Sequence, residues 1–320
     1  MLVNKLTKYL AASAVLVSMT AGVALADLKF INVTTASTSG SFYPSGMAIA
    51  KLINDKVGVR ASAQSSAGSV ENVSILKNKE ANIGIIQNNV VKAALTGTGV
   101  FEGKKFDKLR VLAPLFVNTD HVIISSDSKI NSLADIKNKR WAVGAAGSGT
   151  LLSNKAILTG GGLDVDDVKA EYLGQTEAMA ALQNGIIDGA NLTSGVPFSQ
   201  LEQLFLSAGD RVKIYSMTPE EQNNVVKRSG WKAPMTIPAN TYKNQPKDIL
   251  TVSHLALIMV TTDFPDDLAF DILTAMKDNV DELKQAHGAF RSFDLYNAKA
   301  KIEALGLPMN GGAKKFFDGL

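Results

Sequence analysis

The sequence predicts an α/β protein whose two lobes face each other across a cleft. Three observations carry this. Short apolar runs alternate with amphipathic segments along the chain. No Pro- or Gly-rich linker divides it into beads. The stretch "SSDSKINSLADIKNKRWAVGAAGSGT" opens a second lobe, whereas "VTTDFPDDLAFDILTAMKD" returns to the first. The chain therefore crosses between lobes twice, near His121–Ser125 and near His254–Thr261. The expected division is a first lobe over residues 27–123, a second over 124–258, and a return over 259–320.

Each element has a local reason. Strands are expected where apolar and β-branched residues cluster: "KFINVTT", "VRASAQ" and "NIGIIQ", then "RVLAPLFV" and, separately, "HVIISS". "RWAVGAA", "VKAEYLG", "DGANLT", "VKIYSM" and "SHLALIMVTT" follow. Helices are expected at Pro44–Asn54, Ser69–Lys79, Leu151–Leu158 and Glu177–Asn184. Further ones fall at Phe198–Ala208, Pro219–Arg228, Pro265–Asn279 and Ala298–Leu305. Val70, Val73 and Leu76 share one helical face, as do Met179, Leu182 and Ile186. "TPEE" at Thr218–Glu221 is a capping box with Pro at the first helical position. The first helix differs: its cap position falls on Tyr43, which has no short acceptor, so its leading amides lack a local partner.

The N-terminus reads as a signal peptide, residues 1–26. Lys5 and Lys8 precede the apolar run "LAASAVLVSMTAGVAL" and the small-x-small exit Ala24-Leu25-Ala26. The run is shorter than the ~20 residues of a spanning helix. The chain has no cysteine, which excludes disulfides and a Cys-linked lipid anchor, so periplasmic export is expected. The formal net charge is +3 for 33 basic and 30 acidic residues, and the signal segment holds two of the basic ones. That balance gives no reason to expect nucleic acid or a membrane surface as partner.

Six strand-to-helix joins are polar and carry little charge: Thr35–Tyr43, Gln64–Ser66, Gln87–Asn89, Gly147–Thr150, Gly174–Ala178 and Thr193–Pro197. In open α/β sheets such joins line the ligand crevice. A helix start offers free N–H groups and partial positive charge, which attract a carboxylate or phosphate. Hydrogen bonds to a charged group contribute about 1.5–3 kcal/mol each, and micromolar binding needs roughly 8 kcal/mol. Several donors suffice without a metal or an arginine. The candidate ligand-binding residues are Thr35, Ser37, Ser39, Gly40, Ser41 and Tyr43, then Gln64, Ser65, Ser66, Gln87 and Asn88. The second lobe adds Gly147, Ser148, Gly149, Thr150, Thr193, Gly195 and Pro197. Tyr43 is the expected ligand wall.

Catalytic patterns are missing. There is no Cys nucleophile, no GxSxG elbow and no HExxH. "GSGT" lacks the Gly-Lys-Ser/Thr of a P-loop. Ser74–Lys77 and Ser126–Lys129 match SxxK without its KTG companion. His121 and His254 each open an apolar strand and read as structural, and Trp141 reads as core. "DVDD" at Asp164–Asp167 reads as a solvated helix start rather than a calcium cluster. No enzyme, cofactor or metal is expected.

In order and spacing, the motifs "FYPSGMAIAKLIN", "AQSSAGSVENVSIL", "NIGIIQNN", "LRVLAPLF", "VGAAGSGTLL", "ALQNGIIDGA", "SGVP" and "IPANTY" resemble the TAXI-type solute receptors of TRAP transporters. The resemblance spans the chain beyond the signal segment. It implies a periplasmic-binding-protein fold of the second topological type that closes on its ligand. The implied ligand is glutamate, glutamine or a dicarboxylate. The implied partner is a TRAP membrane subunit driven by an ion gradient, served by a monomeric receptor. Ala36, Ser37 and Ser39 stand where the family pattern has glycine, which leaves the ligand open. A receptor for an ATP-driven importer or a sensor kinase, or an enzyme on the same scaffold, are the rival readings.

Overall fold

The computed structural model describes residues 28–320; the signal-peptide reading lies outside them. Ten strands form one curled sheet: β1 (Phe30–Thr34), β2 (Arg60–Gln64), β3 (Ile83–Gln87), β4 (Leu109–Ser125) and β5 (Arg140–Ala142), then β6 (Lys169–Glu171), β7 (Gly189–Ser194), β8 (Val212–Ile214), β9 (Ala233–Ile237) and β10 (Ile249–Thr261). The helices are α1 (Phe42–Leu52), α2 (Ser69–Lys77), α3 (Asn88–Thr96), α4 (Gly149–Gly160), α5 (Gln175–Gln183) and α6 (Ser199–Ala208), then α7 (Pro219–Ser229), α8 (Asp266–Asp278), α9 (Val280–Ala286), α10 (Ala298–Ala304) and α11 (Gly311–Asp318). Among the described residues, no helix is long and apolar enough to cross a membrane.

The strand order is β2-β1-β3-β10-β4-β7-β5-β6, with β8 added to β4 and β9 to β10. Pairing is parallel at β1 with β2 and β3, and at β5 with β6 and β7. It turns antiparallel where β4 and β10 run side by side through the middle. These are the two crossover strands, 17 and 13 residues long, and they join two α/β lobes. β3 reads Ile-Gly-Ile-Ile-Gln and is buried throughout, as a strand covered on both faces must be.

Buried apolar side chains divide accordingly. One cluster draws on Ile31 through Phe116 and again on Ala256 through Phe317. The other two lie between Val122 and Val252. The apolar register thus changes along β4 between Phe116 and Val122, and along β10 between Val252 and Ala256. Between these points lie residues that are polar yet buried: Asn118, Thr119, Asp120 and His121 on β4, Ser253 and His254 on β10, with half-buried Val117 and Leu255 beside them.

That polar layer explains the main departure from the sequence reading. The two strands expected at 110–117 and 121–126 are one, because Asn118-Thr119-Asp120 looks like a turn but continues the ladder opposite His254, Ser253 and β7. The first helix begins at Phe42 behind Ser41, not at Pro44 behind Tyr43. α5 ends at Gln183, so Ile186 leaves the expected face and is exposed. The helices α3, α9 and α11 and the strand β9 were not expected. The capping box at Thr218 forms as read: Glu221 N–H donates to Thr218 Oγ1 at 3.2 Å and Thr218 N–H to Glu221 Oε2 at 2.9 Å. "DVDD" forms a short capped helical turn. Trp141 is fully buried, and its indole N–H donates to Asn154 Oδ1 at 2.9 Å.

Trp141 also fixes what β7 can carry beside it. A Cβ on Gly189 would stand 2.1 Å from Trp141 Cζ3 and 2.9 Å from the Ile123 carbonyl oxygen. Gly189→Ala is therefore expected to destabilise the fold by about 1–3 kcal/mol, read as a lower urea midpoint with an unchanged slope. An unchanged midpoint would show that the indole has room to move.

Candidate functional site

A cavity of about 500 Å³ lies between the lobes at the carboxyl ends of the parallel strands. All six polar joins reach it. The β1–α1 loop brings Ser37, Gly40, Ser41 and Phe42, the β2–α2 loop Ser65, Ser66, Gly68 and Ser69, and the end of β3 brings Gln87. From the second lobe come Ser148, Gly149 and Thr150, then Tyr172, Gly174, Gln175 and Glu177, and Asn191 and Thr193 of β7. Asn118 reaches it from the crossover strand β4.

Of the residues singled out in the sequence, Ser37, Gly40, Ser41, Ser65, Ser66, Gln87, Ser148, Gly149, Thr150 and Thr193 line this cavity. Thr35, Ser39, Tyr43, Gln64, Asn88, Gly147, Gly195 and Pro197 do not. Thr35 and Gln64 hold the loops instead: the Thr35 hydroxyl donates to the Gln64 carbonyl at 2.7 Å, and Gln64 Oε1 accepts from Asn32 at 2.7 Å. Tyr43 misses the cavity because the helix starts two residues earlier than read, at Phe42; successive helical positions are rotated by about 100°, and Phe42 takes the inward place. It packs edge-on against Phe116 at 5.9 Å.

Sequence reasoning missed Asn118, Tyr172, Gln175, Glu177 and Asn191 as individual positions. Gln175 and Glu177 lay within a flagged join. Asn118 was hidden in the apparent strand break. It also missed Asn72, a fully buried amide that organises the first-lobe loops. Asn72 Oδ1 accepts from Thr34 and Ser66 hydroxyls at 2.8 and 2.7 Å, and its Nδ2 donates to the Thr35 and Ile85 carbonyls.

Five helices start at the cavity: α1, α2, α3, α4 and α5. Only α4 carries a side-chain cap, Ser148 Oγ accepting from Leu151 N–H at 3.1 Å. The caps of α1, α2, α3 and α5 make no such bond. Ser41, which could cap α1, instead meets Ser194 Oγ at 2.6 Å and accepts from Gly195 N–H at 3.1 Å in the opposite lobe. A second bond across the cleft runs from Glu71 N–H to the Gly147 carbonyl at 3.2 Å. At Gly149, where the lobes meet, a Cβ would stand 2.4 Å from the Gln87 carboxamide, so any side chain there displaces it. Glu177, on the exposed rim, is the one formally charged side chain in the lining.

Beneath the cavity sits a buried charged network. Asp120 Oδ2 pairs with Lys232, both side chains fully buried. Lys232 also donates to Ser153 Oγ at 2.9 Å and to His254 Nδ1 at 3.1 Å. Asp120 Oδ1 accepts from Asn191 Nδ2 at 2.7 Å. Burial alone would raise the Asp120 carboxyl, but the Lys232 charge and the neighbouring hydrogen bonds outweigh it and hold it at about 2. Burial, aided by the Lys232 charge, pushes His254 down to about 4. Burial does the same to His121, whose Nε2 lies 2.8 Å from Tyr242 Oη. Both histidines are structural, as read from the sequence.

The sequence profile described as the NMT1-like family matches residues 33–318. Solved structures share the fold at low identity. A protein of Bordetella bronchiseptica RB50 aligns with a TM-score of 0.53 at 17% identity, covering 91% of this chain and 89% of that one. Tv2483 bound to L-arginine gives 0.52 at 11%, over 83% and 93%. The substrate binding protein of an amino acid ABC transporter gives 0.50 at 15%, over 82% and 99%. The fold is that of the type II periplasmic binding proteins.

The two neutral histidines give the stability a pH dependence of definite sign. Unfolded, each takes up a proton near 6.5; folded, only near 4. Protons therefore favour the unfolded chain as pH falls from 6.5 to 4, and the stabilisation is complete only above that window. Asp120 adds a further loss between its ordinary 3.8 and about 2. The melting temperature is expected to fall between pH 7 and 4.5, with about two protons taken up on unfolding near pH 5. A flat profile would contradict burial of both rings in the neutral form.

Proposed function

The chain belongs to the NMT1-like family, and from that premise we propose that it is a periplasmic solute-binding receptor. It captures a small organic anion, a glutamate-like amino acid or a dicarboxylate, by closing its lobes, and delivers it to a membrane transporter. The observation that carries this reading is the set of helix starts around one cavity, four of five lacking a side-chain cap. Their free amides and partial positive charge suit a carboxylate that must be released again. The contacts of Ser41 and Glu71 across the cleft belong to the closed form, and a bridging ligand adds the differential affinity that favours it. A receptor needs no acid–base pair, and the reading assigns no catalysis to the cleft.

For the transporter we favour the TRAP type, driven by an ion gradient, on the motifs that resemble TAXI receptors. A second reading, delivery to an ATP-driven importer, is favoured by the neighbour that serves an amino acid ABC transporter. Uptake reconstituted with the receptor separates them: collapse of the ion gradient abolishes TRAP-type uptake, whereas ATP depletion alone abolishes the other.

Native mass spectrometry of protein purified without added solute is expected to reveal a co-purified carboxylate. Thr150→Val keeps the shape of a cavity-lining side chain and removes its hydroxyl, so affinity for that compound should fall about ten-fold with little change in melting temperature. Unchanged affinity would remove the α4 start from the site.

A further inference from the structure

The loop between β6 and α5 brings apolar side chains to the cavity. Of the large apolar and aromatic side chains left exposed among the described residues, Tyr172 is the one that lines it; at 57% exposure its ring is open to a ligand. Tyr172 sits at the centre of a tight turn. The Leu173 N–H donates to the Glu171 carbonyl at 3.0 Å, and that carbonyl also accepts from Val143 N–H at 2.9 Å. The ring is thus carried on a three-residue turn anchored to the ladder of β5 and β6. Leu173 is half-buried and packs on the second-lobe core. Ala145, half-buried and two residues beyond Val143, lines the cavity from the adjoining strand end.

The helix starts around the cavity are not equivalent in charge. α1, α3 and α4 carry no acidic residue in the first turn, whereas α2 carries Glu71 and α5 carries Glu177. Glu71 Oε2 accepts from Ala67 N–H, ahead of its own helix. Glu177 folds back on the start of α5, since a Cβ on Gly174 would stand 2.5 Å from its Oε2. These carboxylates offset the positive ends of their own helices. An anion is better served at α1, α3 and α4, where Gln87 lies beside the start of α4. A second carboxylate near Tyr172 would share that end with Glu177, and no lysine, arginine or histidine lines the cavity to offset it. Size agrees with an added apolar part. A cavity of about 150 Å³ holds benzene, so about 500 Å³ has room for roughly twenty non-hydrogen atoms, well beyond a short dicarboxylate.

We propose that Tyr172 and Leu173 form an apolar subsite for the hydrocarbon part of the ligand. This rests on the organic-anion reading and narrows it to compounds with one carboxylate at the helix starts and a hydrocarbon chain or ring at the far end. Within that reading, a second acid group counts against a ligand.

The test varies the far end alone. Calorimetry of the purified protein compares butyrate, hexanoate and octanoate with succinate, adipate and suberate, the dicarboxylates of equal length, and with L-glutamate. Affinity along the monocarboxylates is expected to rise about three-fold per added methylene, and each should bind more tightly than its dicarboxylate partner. Tyr172→Ser should flatten that rise and Tyr172→Phe should keep it. The melting temperature should hold in both, because the side chain is exposed. A flat series, or a rise that Tyr172→Ser leaves intact, overturns the apolar subsite. So does tighter binding of the dicarboxylates or of L-glutamate, and each of these results leaves the organic-anion reading standing. Binding of none of the seven up to millimolar concentration overturns the organic-anion reading as well.

Discussion

The buried contact between Asp120 and Lys232 is the constraint from which the remaining structure follows. Asp120 lies on the first crossover strand, just where the apolar register of one lobe gives way to that of the other. Its backbone carbonyl accepts from the Thr251 hydroxyl of the second crossover strand at 2.7 Å, and its carboxylate binds Lys232 and Asn191. Two charges this deep are costly to desolvate, and a well-packed apolar pair would often be as stable. What the pair supplies is a polar floor between two separate cores.

From that floor the site is built by bringing helix starts together. α7, remote from the cavity, has a complete capping box and Pro at its first position. α1 has a serine in the cap position and spends its hydroxyl on the other lobe. A missing side-chain cap costs about 0.5–2 kcal/mol per helix; since α6, α8, α9 and α10 also start without one, what marks the site is the convergence of five helix starts on one cavity. The amides left free in this way are what a ligand can use. Gly149 completes the arrangement, because the Gln87 carboxamide lies where a Cβ on α4 would stand.

The α/β class, the two crossovers and the convergence of six polar joins were legible in the sequence, because hydrophobic periodicity and turn chemistry are local signals. Three things were not. The continuity of β4 was hidden because Asn118-Thr119-Asp120 has the composition of a turn, and only long-range partners such as Lys232 and His254 make it a strand. Tyr43 was taken for a ligand wall because it stands beside the polar loop, but the helix starts two residues earlier than read and its neighbour Phe42 takes the inward place. Asn72, Asn191 and Lys232 gave no signal, since a single Asn or Lys acquires its role from groups brought together only by folding.

Closure around a small organic molecule is the central claim, and hydrogen–deuterium exchange tests it most directly. The comparison is between free protein and protein saturated with whichever amino acid or carboxylate raises its melting temperature most. Simultaneous protection of amides at 37–42 and 66–71 in one lobe and at 147–151 and 174–178 in the other is the expected result. Protection confined to a single lobe, or falling on surfaces away from these loops, would contradict the account.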